Sequence, residues 1–153
     1  MEPKVFRIIT RLMVGGPSIH TILLTEGLNN NGFQSTLICG IEELDEGNML
    51  YLAQSKGIKP VIIPELRKSI NLKRDIVTLI KLYRLMKKEK PYIVHTHLAK
   101  AGFVGRLAAK LARVPIIIHT YHGYSIIYSG GIKARIFLGI DRFMNSISDR
   151  VIA

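Results

Sequence analysis

Strand-like and helix-like runs alternate along the whole chain, and that alternation restricts the fold more than any single motif does. Val5-Phe6-Arg7-Ile8-Ile9 is rich in β-branched and aromatic residues and leads into Gly15-Gly16-Pro17. A helical pattern follows, with Ile19, Leu23, Leu24 and Leu28 on its apolar face, and ends at Asn29-Asn30-Asn31-Gly32. Ser35 to Cys39 reads as the second strand, 48–56 as a short helix closed by Gly57, and Pro60 to Ile63 as the third strand. Asn71 is placed to cap a long amphipathic helix whose stripe is Leu72, Ile76, Leu79, Ile80 and Tyr83. Strand four is expected at Tyr92 to Val94, a helix at 100–112, strand five at Pro115 to Ile118, a helix at 133–145 and strand six at Val151 to Ala153.

This order predicts an α/β domain over 1–153: a Rossmann-like open parallel sheet with helices on both faces. Right-handed crossovers bring every strand-to-helix loop to one edge, and the expected strand order is 3-2-1-4-5-6. The loops after strands one and four then form the switch-point pair where ligands bind. Arg150 to Ala153 has the pattern of a buried parallel strand, with a short edge strand as the plain alternative. With no helix after it to cover its neighbourhood, the expectation is that the chain is one half of a longer two-domain protein.

Composition removes several classes. The 153 residues fit one domain and can bury a sizeable core, 48% are apolar, and no stretch is of low complexity, so disorder is a poor reading. No apolar run reaches the roughly 18 residues of a membrane span, and Met1 to Lys4 runs directly into a strand pattern with no signal-peptide pattern. Cys39, the single cysteine, closes an apolar run and reads as a buried thiol in a reducing compartment. Charge is uneven: residues 1–58 carry 4 basic and 6 acidic groups, residues 59–153 carry 18 and 5. Such a field favours polyanions, whether nucleic acid, anionic lipid or phosphorylated substrates, without choosing among them.

The residues suited to chemistry gather at the predicted ligand edge. Gly15, Gly16 and Pro17 open the first helix, where close backbone approach, free N–H groups and the helix dipole suit a phosphate or diphosphate; an ordinary tight turn is the plain alternative. The dinucleotide fingerprint G-x-G-x-x-G is missing and no acidic residue closes strand two, which counts against a nicotinamide-dependent oxidoreductase. His95, His97, His119 and His122 are expected just past strands four and five, and His20 one turn into the first helix, so all five are expected near one crevice. Neutral imidazoles donate and accept hydrogen bonds, as sugar hydroxyls and phosphates require. Zinc is an alternative from the same count, but no carboxylate or cysteine spacing supports it. Lys100 and Gly102 open the helix after strand four, where a cation suits a phosphate or carboxylate or is merely solvated. The segment 123–131 is unusually apolar for a loop and, beside basic helices, suggests a lipid or lipid-linked substrate; a loop folded over the core or covered by a further domain is the alternative.

Several motifs, in order, resemble the N-terminal domain of family-4 glycosyltransferases of the GT-B architecture. They are Val5 to Thr10 with Arg11-Leu12-Met13-Val14-Gly15-Gly16 and His20, then Pro91-Tyr92-Ile93-Val94-His95-Thr96-His97. Next come Lys100-Ala101-Gly102 through Gly105-Arg106, Val114-Pro115 through Thr120-Tyr121-His122-Gly123, and Asp149 to Ala153. Tyr92 replaces the family's common Asp, and Tyr124 stands where many relatives have His. The resemblance implies a retaining, generally metal-free enzyme that uses a nucleotide-sugar donor and no further cofactor. It places Gly15 and Gly16 against the donor diphosphate and His122 near the donor sugar as the catalytic residue. His20, His97, Lys100 and Tyr124 fall on the acceptor side. The partners it implies are a nucleotide sugar, a glycan or lipid-linked acceptor and a C-terminal GT-B domain. The basic C-terminal half and the apolar loop fit a membrane-apposed enzyme, so an anionic membrane surface is a further expected partner and the expected location is cytoplasmic, peripheral on the inner face of the cell membrane. Nucleic acid is not expected, because the basic residues lie along amphipathic helices without the signature of a common nucleic-acid module. A basic nucleic-acid-binding or other non-enzymatic Rossmann-like module is the rival reading.

Overall fold

A computed structural model describes residues 2–43, 46–123 and 131–153. Among these residues six strands alternate with five helices: β1 (Lys4–Ile9), α1 (Gly16–Asn29), β2 (Gln34–Cys39), α2 (Leu50–Ser55), β3 (Val61–Ile62), α3 (Leu72–Glu89), β4 (Ile93–His97), α4 (Ala99–Ala112), β5 (Ile116–Thr120), α5 (Gly131–Ser146) and β6 (Arg150–Ile152). The strands are parallel and ordered β3-β2-β1-β4-β5-β6, as the sequence pattern predicts. Two apolar clusters sandwich the sheet. One joins Phe6, Ile8 and Val94 to Leu82 of α3 and Val104 of α4; the other joins Ile9, Leu37 and Cys39 to Ile22 of α1 and Ala53 of α2.

Local chemistry sets the element ends. The Asn71 side chain accepts from Arg74 N at 3.0 Å and Asp75 Oδ2 accepts from Asn71 N at 3.3 Å, so two otherwise orphaned N–H groups at the start of α3 are satisfied. Lys90 and Arg113 end α3 and α4 in the left-handed conformation.

The helices turn different faces to the sheet from those the apolar spacing predicts. In α1 the buried residues are Ser18, Thr21, Ile22 and Thr25, while Ile19 and Leu23 are exposed. Small hydroxyl residues let this helix sit close to the sheet, and they satisfy their own hydroxyls: Thr21 donates to Pro17 O and Thr25 to Thr21 O. In α3 the buried line is Thr78, Leu82 and Met86, so Leu72, Ile76, Ile80 and Tyr83 of the expected stripe are left exposed. Strand β4 runs three residues further than expected and β5 two, which moves His95, His97 and His119 from loops into strands. The expected burial of the last strand is also corrected. β6 pairs with β5 at the sheet edge, but Val151 and Ile152 are exposed because no described element packs over them.

Helix α4 lies close against the sheet, and two glycines allow it. A Cβ on Gly102 would lie 2.5 Å from His119 Cε1, and one on Gly105 would lie 2.8 Å from Thr96 Cγ2. Gly102→Ala should therefore displace the buried His119 ring and lower stability by about 1–3 kcal/mol, the usual cost of overpacking. Urea unfolding of the two chains checks this; an unchanged midpoint would mean that α4 has room to move off the sheet.

Candidate functional site

Parallel register assembles the site. Arg7 pairs in register with His95, and Ile9 with His97, which in turn pairs with Thr120. In-register residues of neighbouring strands point to the same face, and alternate residues along one strand share a face. Arg7, His95 and His97 therefore line the α1 face of the sheet, and His122, two residues beyond Thr120, lies at its carboxyl edge.

Three histidines meet there. The His20 ring centroid is 5.7 Å from that of His97 and 5.4 Å from that of His122, and the His97 and His122 centroids are 5.3 Å apart. His97 Nδ1 and His122 Nε2 are 3.1 Å apart, a hydrogen bond. His97 is fully buried, His122 half-buried and His20 exposed, so the cluster runs from the interior outward. His95 lies one layer deeper, stacked on His97 with centroids 4.3 Å apart and its Nε2 2.7 Å from Thr120 Oγ1. His119 does not join them. Strand alternation turns it to the opposite face, beneath Gly102, where it meets Thr96 Oγ1 at 2.9 Å and Tyr121 edge-on. The single crevice of five histidines is thus a cluster of three, backed by His95.

Under the cluster lies a charge that motif reading missed. Arg7 is 3% exposed, and its Nη1 is 3.3 Å from His95 Nδ1 and 3.2 Å from His97 Nε2. Among the described residues it has no carboxylate partner, and its Nε has no hydrogen-bond partner. The available signal was a cation in the middle of the otherwise apolar run Val5 to Ile9. Burial lowers the guanidinium to about 10, which leaves it charged at neutral pH. Burial, and then the Arg7 charge, hold His95 down at about 3. Burial pushes His97 far below its ordinary value, assisted by His95 and Arg7. His119 falls to about 3 through burial and then Arg106, and His122 is lowered by burial and then His20.

The first helix completes the edge. Gly15 precedes α1 with φ +153°, a conformation that L side chains rarely adopt, and no side chain caps the helix. Its first N–H groups therefore have no side-chain partner, and a helix start of this kind favours an anion. A Cβ on Gly16 would meet nothing within 4 Å, so packing does not account for that glycine and the space above it is open. Leu98, immediately after His97, has φ +68°, a strained conformation at the turn into α4. Lys100 stands apart from the cluster: its ammonium is 2.6 Å from Asp75 Oδ2 and 3.1 Å from Ser69 O, toward α3. Tyr124 and most of the apolar loop at 123–131 lie outside the described residues. Arg11, from the loop after β1, pairs with Glu46, whose carboxyl is held down at about 2 chiefly by that hydrogen bond. Cys39 is buried, and burial raises its thiol to about 12, so it is inert.

Nitrogens of His20, His97 and His122 lie within 4.8 Å of one another, close enough to be drawn around one cation. A tetrahedral zinc site with 2.0–2.1 Å bonds needs separations of about 3.3 Å. Closing the cluster would also bring a dication toward the buried Arg7 charge. The arrangement suits neutral ligand oxygens and anions better.

Comparison with known proteins agrees with this architecture. The model of Glycosyltransferase Family 4 matches residues 14–153. The chain is 42% identical over 100 residues to the UDP-Gal:alpha-D-GlcNAc-diphosphoundecaprenol alpha-1,3-galactosyltransferase of Escherichia coli, covering 65% of this chain and 24% of that enzyme. It is 38% identical over 72 residues to the capsular polysaccharide biosynthesis glycosyltransferase CapM of Staphylococcus aureus, covering 47% of this chain and 19% of CapM. Among solved structures, UDP-GlcNAc 2-epimerase from Neisseria meningitidis superposes with a TM-score of 0.68 at 18% identity, over 98% of this chain and 39% of that one, a likeness of fold alone. The chain thus spans about a quarter or less of the curated relatives it matches.

The buried imidazoles make stability pH-dependent. His95, His97 and His119 have folded values below the ordinary 6.5, so between pH 6.5 and about 3 the unfolded chain binds more protons than the folded one. Their contribution to stability is complete above pH 6.5 and is lost as pH falls through that window. At pH 5 unfolding should take up roughly three protons from these residues. The pH dependence of the urea midpoint reads this number; a flat profile from pH 7 to 5 would show that the imidazoles are not held neutral.

Proposed function

The chain belongs to glycosyltransferase family 4, and on that footing we propose that it is the acceptor-side half of a retaining, two-domain GT-B transferase. In this reading a sugar passes from a nucleotide-sugar donor to a polyprenyl-linked or cell-surface glycan, with the nucleotide held mainly by a second domain. The observation that carries it is the meeting of His20, His97 and His122 at the carboxyl edge of the sheet, which also presents the uncapped, glycine-opened start of α1. The named activity of the Escherichia coli relative, on a diphosphoundecaprenol-linked sugar, supports the acceptor class.

The chemistry follows from charge. Departure of a nucleoside diphosphate develops negative charge, and the N–H groups and dipole at the start of α1 stabilise an anion that approaches Gly15 and Gly16. Open space over Gly16 admits the diphosphate close to backbone. His122, neutral and half-buried, orients the donor sugar, while exposed His20 and buried His97 bound the acceptor side. Lys100 belongs to the acceptor side once a ligand phosphate competes with Asp75 for its ammonium. No cofactor beyond the donor is invoked.

The test is transfer from a panel of nucleotide sugars to a polyprenyl-diphosphate sugar, run with residues 1–153 alone and with the chain joined to a family-4 nucleotide-binding half. The chain alone should transfer nothing. In the joined protein His122→Ala should lower kcat by about 10²–10³-fold, the range for loss of one preorganised donor. Gly16→Val should lower kcat/KM at least about tenfold while stability stays within about 0.5 kcal/mol. Turnover by residues 1–153 alone would sink the two-domain account. Salt-dependent capture of random oligonucleotides with no donor turned over would favour a nucleic-acid module.

Membrane apposition on the inner face of the cell membrane is part of the same proposal. No helix among the described residues is long and apolar enough to cross a membrane. Helix α5 exposes Ile132, Ile136, Ile140 and Phe143 at helical spacing, with exposed Arg135 and Arg142 beside them, a pattern suited to lying on anionic lipid. Co-sedimentation with anionic vesicles should weaken about fivefold for each of Arg135→Gln and Arg142→Gln, at about 1 kcal/mol per cation. Equal binding to neutral vesicles would count against it.

A further inference from the structure

The least expected group in the site is the buried guanidinium of Arg7. An uncompensated buried charge is costly, and burial without a carboxylate partner calls for an account of what the charge does. Among the described residues, both of its hydrogen-bond partners are imidazole nitrogens.

Arginine is a hydrogen-bond donor only. Each ring nitrogen that Arg7 touches must therefore be the lone-pair nitrogen of a neutral imidazole. Neutrality follows independently from the burial of His95 and His97. On His95, Nδ1 accepts, so the proton sits on Nε2 and is donated to Thr120 Oγ1 at 2.7 Å. On His97, Nε2 accepts, so the proton sits on Nδ1, whose partner is His122 Nε2 at 3.1 Å. His122 Nε2 is then an acceptor, and the proton of a neutral His122 sits on Nδ1. That N–H has no partner among the described residues.

We propose that Arg7 is a positioning residue that acts through His97: it fixes the His97 proton on Nδ1, His97 fixes the His122 proton on Nδ1, and His122 meets its ligand as a hydrogen-bond donor rather than an acceptor. The ligand atom it selects is an oxygen, as a sugar hydroxyl or a phosphate supplies. The relay stands on geometry alone, and the identity of the oxygen rests on the function proposed above. The same relay disfavours a metal: His97 would have to bind through Nδ1, the nitrogen that Arg7 keeps protonated. Two adjacent Nδ1–H histidines are not the default, because imidazoles in water favour the Nε2–H form.

Long-range proton–nitrogen correlation spectra of the uniformly 15N-labelled protein at pH 7.5 read each tautomer directly, with His97→Gln and His122→Gln assigning the rings. The expected pattern is Nε2–H for His95 and Nδ1–H for His97 and His122. Arg7→Met should convert His97 and His122 to the Nε2–H or a mixed form, and Arg7→Lys, which keeps a cationic donor, should restore Nδ1–H. An Nε2–H signal for His97 or His122 in the unsubstituted protein overturns the relay, even where Arg7→Met fails to fold. Unchanged tautomers in a folded Arg7→Met also overturn it. These spectra need no substrate, so a failed relay is distinguishable from a failed transferase reading, which the His122→Ala assay tests separately.

Discussion

The parallel register of the three central strands is the constraint on which the site depends. Arg7 stands beside His95 and one row from His97 because β1 and β4 pair as they do. A slip of one residue would turn the whole set to the other face, since side chains alternate along a strand. The register is secured by what both faces bury. Ile9, Leu37 and Cys39 must meet α1 and α2, while Phe6, Ile8 and Val94 must meet α3 and α4. The polar cluster is thus held in place by the apolar residues packed on both faces of the same strands.

Close helix approach does the remaining positioning. Gly102 and Gly105 bring α4 against the sheet, and the turn that feeds α4 passes through Leu98 in a strained conformation directly after His97. Strain of this kind costs of order 1–3 kcal/mol and persists where the surroundings enforce it. Here it lies at the switch point, where β4 ends and the chain departs. On the other face α1 lies close because it buries Ser18, Thr21 and Thr25 rather than leucines, which keeps the start of the helix and His20 near the carboxyl edge.

Membership of glycosyltransferase family 4 and the buried chemistry of the cluster support each other without repeating each other. The family says what class of reaction the longer relatives catalyse. The cluster itself holds the lowered imidazoles of His97 and His122 beside an uncapped helix start, over a buried cation that touches no acid among the described residues. The apolar stripes left exposed on α3 and α5 belong to neither core.

Much of the fold was legible in the sequence. Alternating patterns determined the strand count, the parallel order and the Asn71 cap, because period and capping are local properties. Glycine and histidine positions likewise marked the carboxyl edge as the candidate site. Local pattern failed where burial depends on what lies opposite. The apolar stripes of α1 and α3 were out of phase with the faces they bury, since closeness to the sheet selects small residues over large ones. β4 and β5 extended through their histidines because neighbouring strands offered hydrogen bonds and space for them. The sequence by itself determined which residues were available and near which edge. Only the tertiary structure decided that His119 turns away, that Lys100 pairs with Asp75, and that Arg7 lies beneath His97. Those outcomes depend on which strand face meets which helix, and that is settled by packing between segments tens of residues apart.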